Sequence, residues 1–450
     1  MQILSKISKQ VRALYFSIRN TYNIVWSFRG IFVALSGLLR KLPDDVDYLF
    51  ICHDVHRHSK VDGKAYAPLL DPIVAELSTF GRCLTLAAPF SSLYGAQCFG
   101  DVRNYNFIVL HAIIKRAIFN RSLKLLTIEH DPLIKAYANM LSMIGPKIII
   151  GIQPSIELCV AAKQQDITVY DMQHGVISDV NYYAEAKRRD FGQAGWPDFV
   201  LCWDEPSAFR LTKISKGNVD FLVLGNPGYH SKSGVRFQAE FDKQIEIVQK
   251  KREVGTLRMD VLVTLTYQDY GDRLSYLEKF NDKCFVEMGI PSELVDLINN
   301  NTDIFWRIRL HPTQIKFSLG KVHGYLKKKF NGAQNIDWIN FSDCPLALSL
   351  TGCSGHITVD SAVAIDAAHN SVPTLLVGCE GWSNKDKVLT YFQEYITSGI
   401  MRFSESNELN NFSLEFFDDH DITSRKPSKL AAEMAFTGFI ENLKSQVLKL

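Results

Sequence analysis

Residues able to do chemistry gather at a few points of this 450-residue sequence, each just past an apolar, β-rich run. Asp171-Met172-Gln173-His174-Gly175 closes the run from Thr168, Arg309-Leu310-His311-Pro312 closes the run from Ile304, and Thr358-Val359-Asp360-Ser361 closes the run from His356. An imidazole titrates near neutrality, which suits a general base and makes His174 the first candidate. Gly175 beside it is expected to let the chain turn tightly and leave the ring at a crevice. A lone histidine is as often a hydrogen-bonded structural residue, so geometry decides. Asp360-Ser361 opens a segment in which Ala362, Ala364, Ile365 and Ala368 share one helical face. Such a residue pair either caps the helix or lies where its open N–H groups seat an anion.

Three other polar ends belong with these. Glu129-His130-Asp131-Pro132 follows the apolar run Leu123–Ile128, and Thr266 opens a polar stretch after Met259–Leu265. The loop from His53 to Lys64 carries His53, Asp54, His56, His58 and Asp62. Its spacing fits no standard metal-ligand set and no H-E-x-x-H helix is present, so contact with a polar substrate is the expectation and no metal is assigned.

The elements that would position these residues alternate. Strands are expected at Asp47–Cys52, Arg82–Leu86, Asn106–Leu110, Leu123–Ile128, Lys147–Ile152, Thr168–Met172, Phe199–Trp203 and Val219–Leu224, with helices such as Ile156–Lys163 between them. After Gly225-Asn226-Pro227-Gly228 comes a polar, charge-mixed stretch that reads as helix plus linker. A second series follows: strands at Met259–Leu265, Ile304–Leu310, Asp337–Phe341, His356–Val359 and Thr374–Val377, and helices near 274–280, 292–299, 322–330 and 345–350. The fold class is therefore α/β, two facing doubly wound domains with a cleft between them. The expected division is a basic amphipathic segment at 1–41, an acceptor-side domain at 42–228, a linker at 229–258 and a nucleotide-donor domain at 259–450. In parallel sheets all strand ends point the same way, so the chemical residues share one edge per domain. Neither a G-x-G-x-x-G nor a P-loop fingerprint occurs.

Composition narrows the class further. Fifty Lys+Arg against 48 Asp+Glu leave a net charge of +2, which argues against a nucleic-acid partner. Nine cysteines with no C-x-x-C pair argue against structural zinc or a disulfide scaffold and fit a reducing cytoplasm. Residues 1–41 hold Lys6, Lys9, Arg12, Arg19, Arg29, Arg40 and Lys41 and no acid, with apolar residues at helical spacing. That pattern reads either as a helix lying on the anionic inner-membrane surface or as one packed on its own domain. The apolar run Gly30–Leu39 falls short of the roughly 20 residues a spanning helix needs.

Taken in order, Asp171–Gly175, RLHP at 309–312 and TVDSAVAIDAAHNSVPTLL from Thr358 resemble the GT-B glycosyltransferases, over roughly Val46 to Phe403. The likeness is to bacterial surface-polysaccharide enzymes that use CMP-activated acid sugars, the sialyl-, polysialyl- and Kdo-transferases. CDP-glycerol polyolphosphate transferases share the layout. The resemblance implies a nucleotide-sugar donor, as substrate rather than cofactor, and a glycan or lipid-linked glycan acceptor of a capsule or lipopolysaccharide, with no metal. It implies that His311 contacts the nucleotide, that Ser361 and Thr358 give donors to phosphate with Asp360 and Thr266 alongside, and that Arg309 neutralises the leaving group. His174 stands in the place of the base. The sialyltransferase motif has a carboxylate there, which keeps Glu129, Asp131 and Asp62 as alternatives. Rival readings are a CDP-polyol phosphate transferase, an NDP-sugar epimerase and a non-catalytic assembly subunit.

Overall fold

The computed structural model describes residues 42–88, 91, 93, 95–121, 131–177, 189–229, 238–253, 257–266, 284–285, 290–317, 319–378, 385–411, 413–418 and 429–449. The segment 1–41, the run 123–128 with Glu129 and His130, and the helix expected near 274–280 lie outside them.

The strands are β1 (Tyr48–Cys52), β2 (Ser59–Val61), β3 (Lys64–Tyr66), β4 (Cys83–Ala87), β5 (Ile148–Gly151), β6 (Thr168–Met172), β7 (Phe199–Cys202) and β8 (Asp220–Val223). They continue as β9 (Met259–Thr264), β10 (Cys284–Phe285), β11 (Ile290–Pro291), β12 (Ile304–Arg309), β13 (Ile336–Asp337), β14 (Gly355–Thr358), β15 (Thr374–Gly378) and β16 (Met401–Glu405). Two six-stranded sheets result, in the orders β4-β1-β5-β6-β7-β8 and β13-β12-β9-β14-β15-β16. Every neighbouring pair within them is parallel. Strands such as YLFIC, IIIG and MDVLVT are buried along their whole length because helices cover both faces. Two facing domains of this kind make the GT-B type of α/β fold. The strand order reverses beside β1 in one sheet and beside β9 in the other, and crevices for ligands open at the carboxyl ends there.

Three local readings change. The run Asn106–Leu110 is not a strand but the start of the helix Asn106–Arg121. Its apolar residues continue at helical spacing past Leu110, and the four apolar residues from Phe107 to Leu110 have no period of their own. Of the strand expected at 337–341 only Asp337 pairs, because its carboxylate accepts from the Ile339 and Asn340 amides, both at 3.0 Å, and starts the helix Asn340–Asp343. The loop after β1 is structured, a 3-10 turn (Asp54–Arg57) followed by the β2–β3 hairpin. Asp62 and Gly63 both take positive φ at the hairpin tip, 50° and 71°, as a two-residue turn with the right twist demands.

The domains are stitched by polar contacts and by one indole. Lys60 meets Asp343 at 2.7 Å, Arg210 meets Glu394 at 2.9 Å, and the Tyr395 hydroxyl donates to Asp204 at 2.6 Å. Trp203, just past β7, is buried among the apolar residues of the second domain. The last helix, Lys429–Lys449, returns to the first domain, where Phe436, Phe439, Ile440 and Leu443 join Tyr48 and Phe50. Among the described residues no helix is long and apolar enough to cross a membrane.

Candidate active site

The carboxyl ends of both sheets open into one cavity of about 600 Å³ between the domains. The first domain contributes His53, His56 and His58 after β1, Gln153 after β5, His174 and Gly175 after β6, and Trp203 after β7. The second contributes Thr266 after β9, Arg309 to Pro312 from β12, and Asp360 and Ser361 after β14. Three motifs far apart in sequence therefore meet in one cavity.

His174 is held by its neighbour. Gln173 is fully buried and makes three hydrogen bonds, accepting from the Trp203 amide (2.8 Å) and donating to the Gly175 carbonyl (2.9 Å) and the Ser207 hydroxyl (3.0 Å). The His174 ring meets the His56 ring edge-on at 5.1 Å, and its Nδ1 is buried without a hydrogen-bond partner. Burial pushes the His174 pKa down to about 4, so the ring is neutral at pH 7 and its ring nitrogen is open to a proton. Gly175 does not serve the purpose expected of it. Its φ is not left-handed and an added Cβ would meet nothing within 4 Å, so its small size leaves room in the cavity rather than permitting a turn.

Arg309 lines the cavity and is tied to protein groups on both domains. Its guanidinium is buried, with Nη1 donating to the carbonyls of Phe341 (2.6 Å) and Cys344 (2.7 Å) and to the Ser349 hydroxyl (3.0 Å). Its Nη2 lies 3.1 Å from His58 Nε2. Arginine is always a donor, so His58 accepts there and donates from Nδ1 to the Val55 carbonyl at 3.0 Å. His58 is thereby fixed as the neutral Nδ1–H tautomer, and burial together with the Arg309 charge holds its pKa down to about 3. Arg309 braces the β1 loop of the opposite domain, with its donors directed at protein groups.

His311, Thr266 and Ser361 bring neutral polar groups to the cavity from the second domain. His311 accepts from the Thr313 amide at Nδ1 (3.2 Å), which makes the neutral ring an Nε2–H donor, and burial lowers its pKa to about 4. Thr266 Oγ1 is buried without a partner at the cavity wall. Ser361 accepts from the amide of Val363, the first residue of the helix Val363–His369, at 3.3 Å and still lines the cavity. Thr358 lies beneath it, donating to the Thr264 carbonyl at 3.0 Å and accepting from the Ser361 amide at 3.4 Å, so it props the turn and does not line the cavity.

The alternative bases fall elsewhere. Asp131 caps the helix Pro132–Ile144 through the Leu133 amide at 2.8 Å and pairs with Arg116 at 3.3 Å, away from the cavity lining. Asp62 is exposed at the hairpin tip, and Glu129 lies outside the described residues.

Asp366 and Asn226 are cavity residues that the sequence reading did not single out. Asp366 is buried in the helix Val363–His369, and its Oδ1 accepts from Asn226 Nδ2 at 2.8 Å across the domain boundary. Burial drives its pKa up to about 7 despite that bond. Between its ordinary value and 7 the folded protein keeps a proton that the unfolded chain has released, so stability falls as pH rises through this window. Asp366→Asn keeps the acceptor oxygen and removes the charge. Its stability relative to the parent is expected to rise by about 2–4 kcal/mol at pH 8 and to converge near pH 4 in chemical denaturation. A gain of equal size at both pH values would contradict a buried charge as the cause.

Among the described residues no group of three His, Cys, Asp or Glu is placed to hold a metal ion. No protein-family model matches the sequence. No curated protein matches it either. Solved structures do. UDP-GlcNAc 2-epimerase from Neisseria meningitidis bound to UDP-GlcNAc superposes with a TM-score of 0.52 at 12% identity, over 89% of this chain and all of that one. A putative UDP-N-acetylglucosamine 2-epimerase from Listeria monocytogenes gives 0.52 at 13%, over 90% and 98%. A variant of the wall teichoic acid polymerase TagF soaked with CDPG gives 0.50 at 11%, over 98% of each chain. At these identities the likeness is one of fold.

Proposed function

We propose that this chain is a glycosyltransferase that moves a sugar from a nucleotide donor, favoured as a CMP-linked acid sugar such as Kdo or sialic acid, to a growing surface polysaccharide. The observation that carries this reading is the meeting of His174 from one domain with His311, Thr266 and Ser361 from the other in one interdomain cavity. Such transfer needs a base, an oriented donor and stabilisation of the departing phosphate. The acceptor hydroxyl attacks the anomeric carbon and passes its proton to neutral His174, while the bond from that carbon to the phosphate oxygen breaks and CMP departs. His311 Nε2–H, Thr266 and the Ser361 turn supply donors to the phosphate as its charge grows. Closing of the two domains, bridged at Asn226 and Asp366, would exclude water and favour transfer over hydrolysis. A cytoplasmic site at the inner face of the membrane, where activated sugars and lipid-linked acceptors meet, fits this reading.

A second reading, transfer of a polyol phosphate from a CDP-linked donor, is favoured by His174 standing where the sialyltransferase motif has a carboxylate and by the even coverage of the TagF structure. The epimerase reading is weaker, since Asp360 and Asp366 are the carboxylates among the described cavity-lining residues. Nucleotide release from purified protein separates them. Release of CMP from CMP-Kdo or CMP-sialic acid is expected; turnover of CDP-glycerol with no release from either CMP-sugar would replace the first reading by the second. Thr266→Val and Ser361→Ala are each expected to weaken CMP binding by about tenfold or more in calorimetry, the worth of a hydrogen bond to a charged group. Unchanged affinity in both would remove them from the donor site.

A further inference from the structure

We infer that the helix Leu319–Lys329, on the outside of the second domain, is a contact surface for an anionic lipid bilayer. No acid occurs between Asp303 and Asp337, while the exposed face of this helix presents Lys321, Lys327 and Lys328. Lys329 folds over the Tyr325 ring at 5.8 Å. In a chain of net charge +2 this is a strong local asymmetry. Gly320 and Gly324 are exposed on the same helix, at positions where an added Cβ would meet nothing within 4 Å. Each costs about 1 kcal/mol of helix stability relative to alanine, so packing within the molecule does not explain them. They leave a shallow furrow in which a flat partner approaches the helix closely.

Charge complementarity calls for an anionic partner, and the apolar residues at both ends select which one. Leu319 is 38% exposed at the start of the helix. Ile339 is 60% exposed next to Trp338, whose ring lies 6.4 Å from that of Phe330 at the helix end. Lysines flanked by the exposed apolar side chains of Leu319 and Ile339, the latter beside the half-buried Trp338, match a surface whose charged layer covers an apolar one. A polyanionic glycan offers nothing to Ile339. This surface is independent of the reading of the cavity. With the basic segment 1–41 it would give two weak attachments, which together hold a protein at a membrane where one does not.

The test is co-sedimentation of the full chain with vesicles of phosphatidylcholine containing phosphatidylglycerol, against phosphatidylcholine alone. Lys321→Gln, Lys327→Gln and Lys328→Gln together are expected to weaken binding by on the order of a hundredfold, about fivefold per lysine, and Ile339→Ser to weaken what survives at high salt. An unchanged thermal midpoint shows that these exposed substitutions leave the fold intact. Vesicle binding equal to the parent chain in the triple variant would overturn the inference. So would loss of binding to a soluble polyanion such as dextran sulfate with vesicle binding intact, which would assign the face to a polyanionic chain.

Discussion

His174→Ala is expected to lower turnover by about 10²- to 10⁴-fold, the usual contribution of a positioned general base, with CMP affinity nearly unchanged. The separation follows from geometry. His174 lines the cavity from the first domain, whereas His311, Thr266 and Ser361, the proposed nucleotide contacts, line it from the second. The pH profile gives a second signature. Burial holds the His174 pKa to about 4 in the free protein, so the base is protonated and lost only below that pH. The acid limb of kcat/KM is therefore expected near pH 4 and not near the ordinary imidazole value, and the limb of kcat at higher pH because the bound phosphate favours the protonated ring. An alanine variant with full activity would remove His174 from catalysis. Retained activity with an acid limb near pH 6.5 would point to a different, exposed base.

Arg309→Met is expected to cost about 3–5 kcal/mol of stability, the second large effect. The substitution leaves the Cys344 carbonyl without its donor in a buried site, leaves the Phe341 carbonyl with the Ser349 hydroxyl as donor, and frees His58 from the contact that sets its tautomer. Arg309→Lys is expected to fail nearly as badly, because a single ammonium cannot reach Phe341, Cys344, Ser349 and His58 at once. A denaturant midpoint reads this directly. If the Met variant keeps its stability and loses nucleotide affinity instead, Arg309 is a phosphate ligand and its bracing role is wrong.

The contrast between these two residues shows how far sequence carries. β6, β9 and β12 were legible because continuous apolar runs ending in polar residues have one reading in a doubly wound sheet, and sheet polarity then put His174, His311 and Ser361 on facing edges. The run Asn106–Leu110 was not, because its helical period appears only when residues beyond it are counted. Arg309 and His311 sit two apart, a spacing that puts both side chains on one face of an extended chain, and both were read as nucleotide contacts. Nothing local says that Arg309 turns to the carbonyls of a loop more than thirty residues later. Asp366 was missed for the reverse reason: a carboxylate in an Ala-rich helix reads as a solvated position, and only the partner Asn226 across the domain boundary reveals it as buried.

The most direct test of a nucleotide-linked donor seated between the two domains is the crystal structure of the protein with CMP. The expected result is the phosphate within hydrogen-bond distance of His311 Nε2, Thr266 Oγ1 and the Ser361 turn, with the free space beyond it facing His174. A cavity that stays empty at millimolar CMP, or a nucleotide bound on the first domain with its phosphate away from His311 and Ser361, would contradict it.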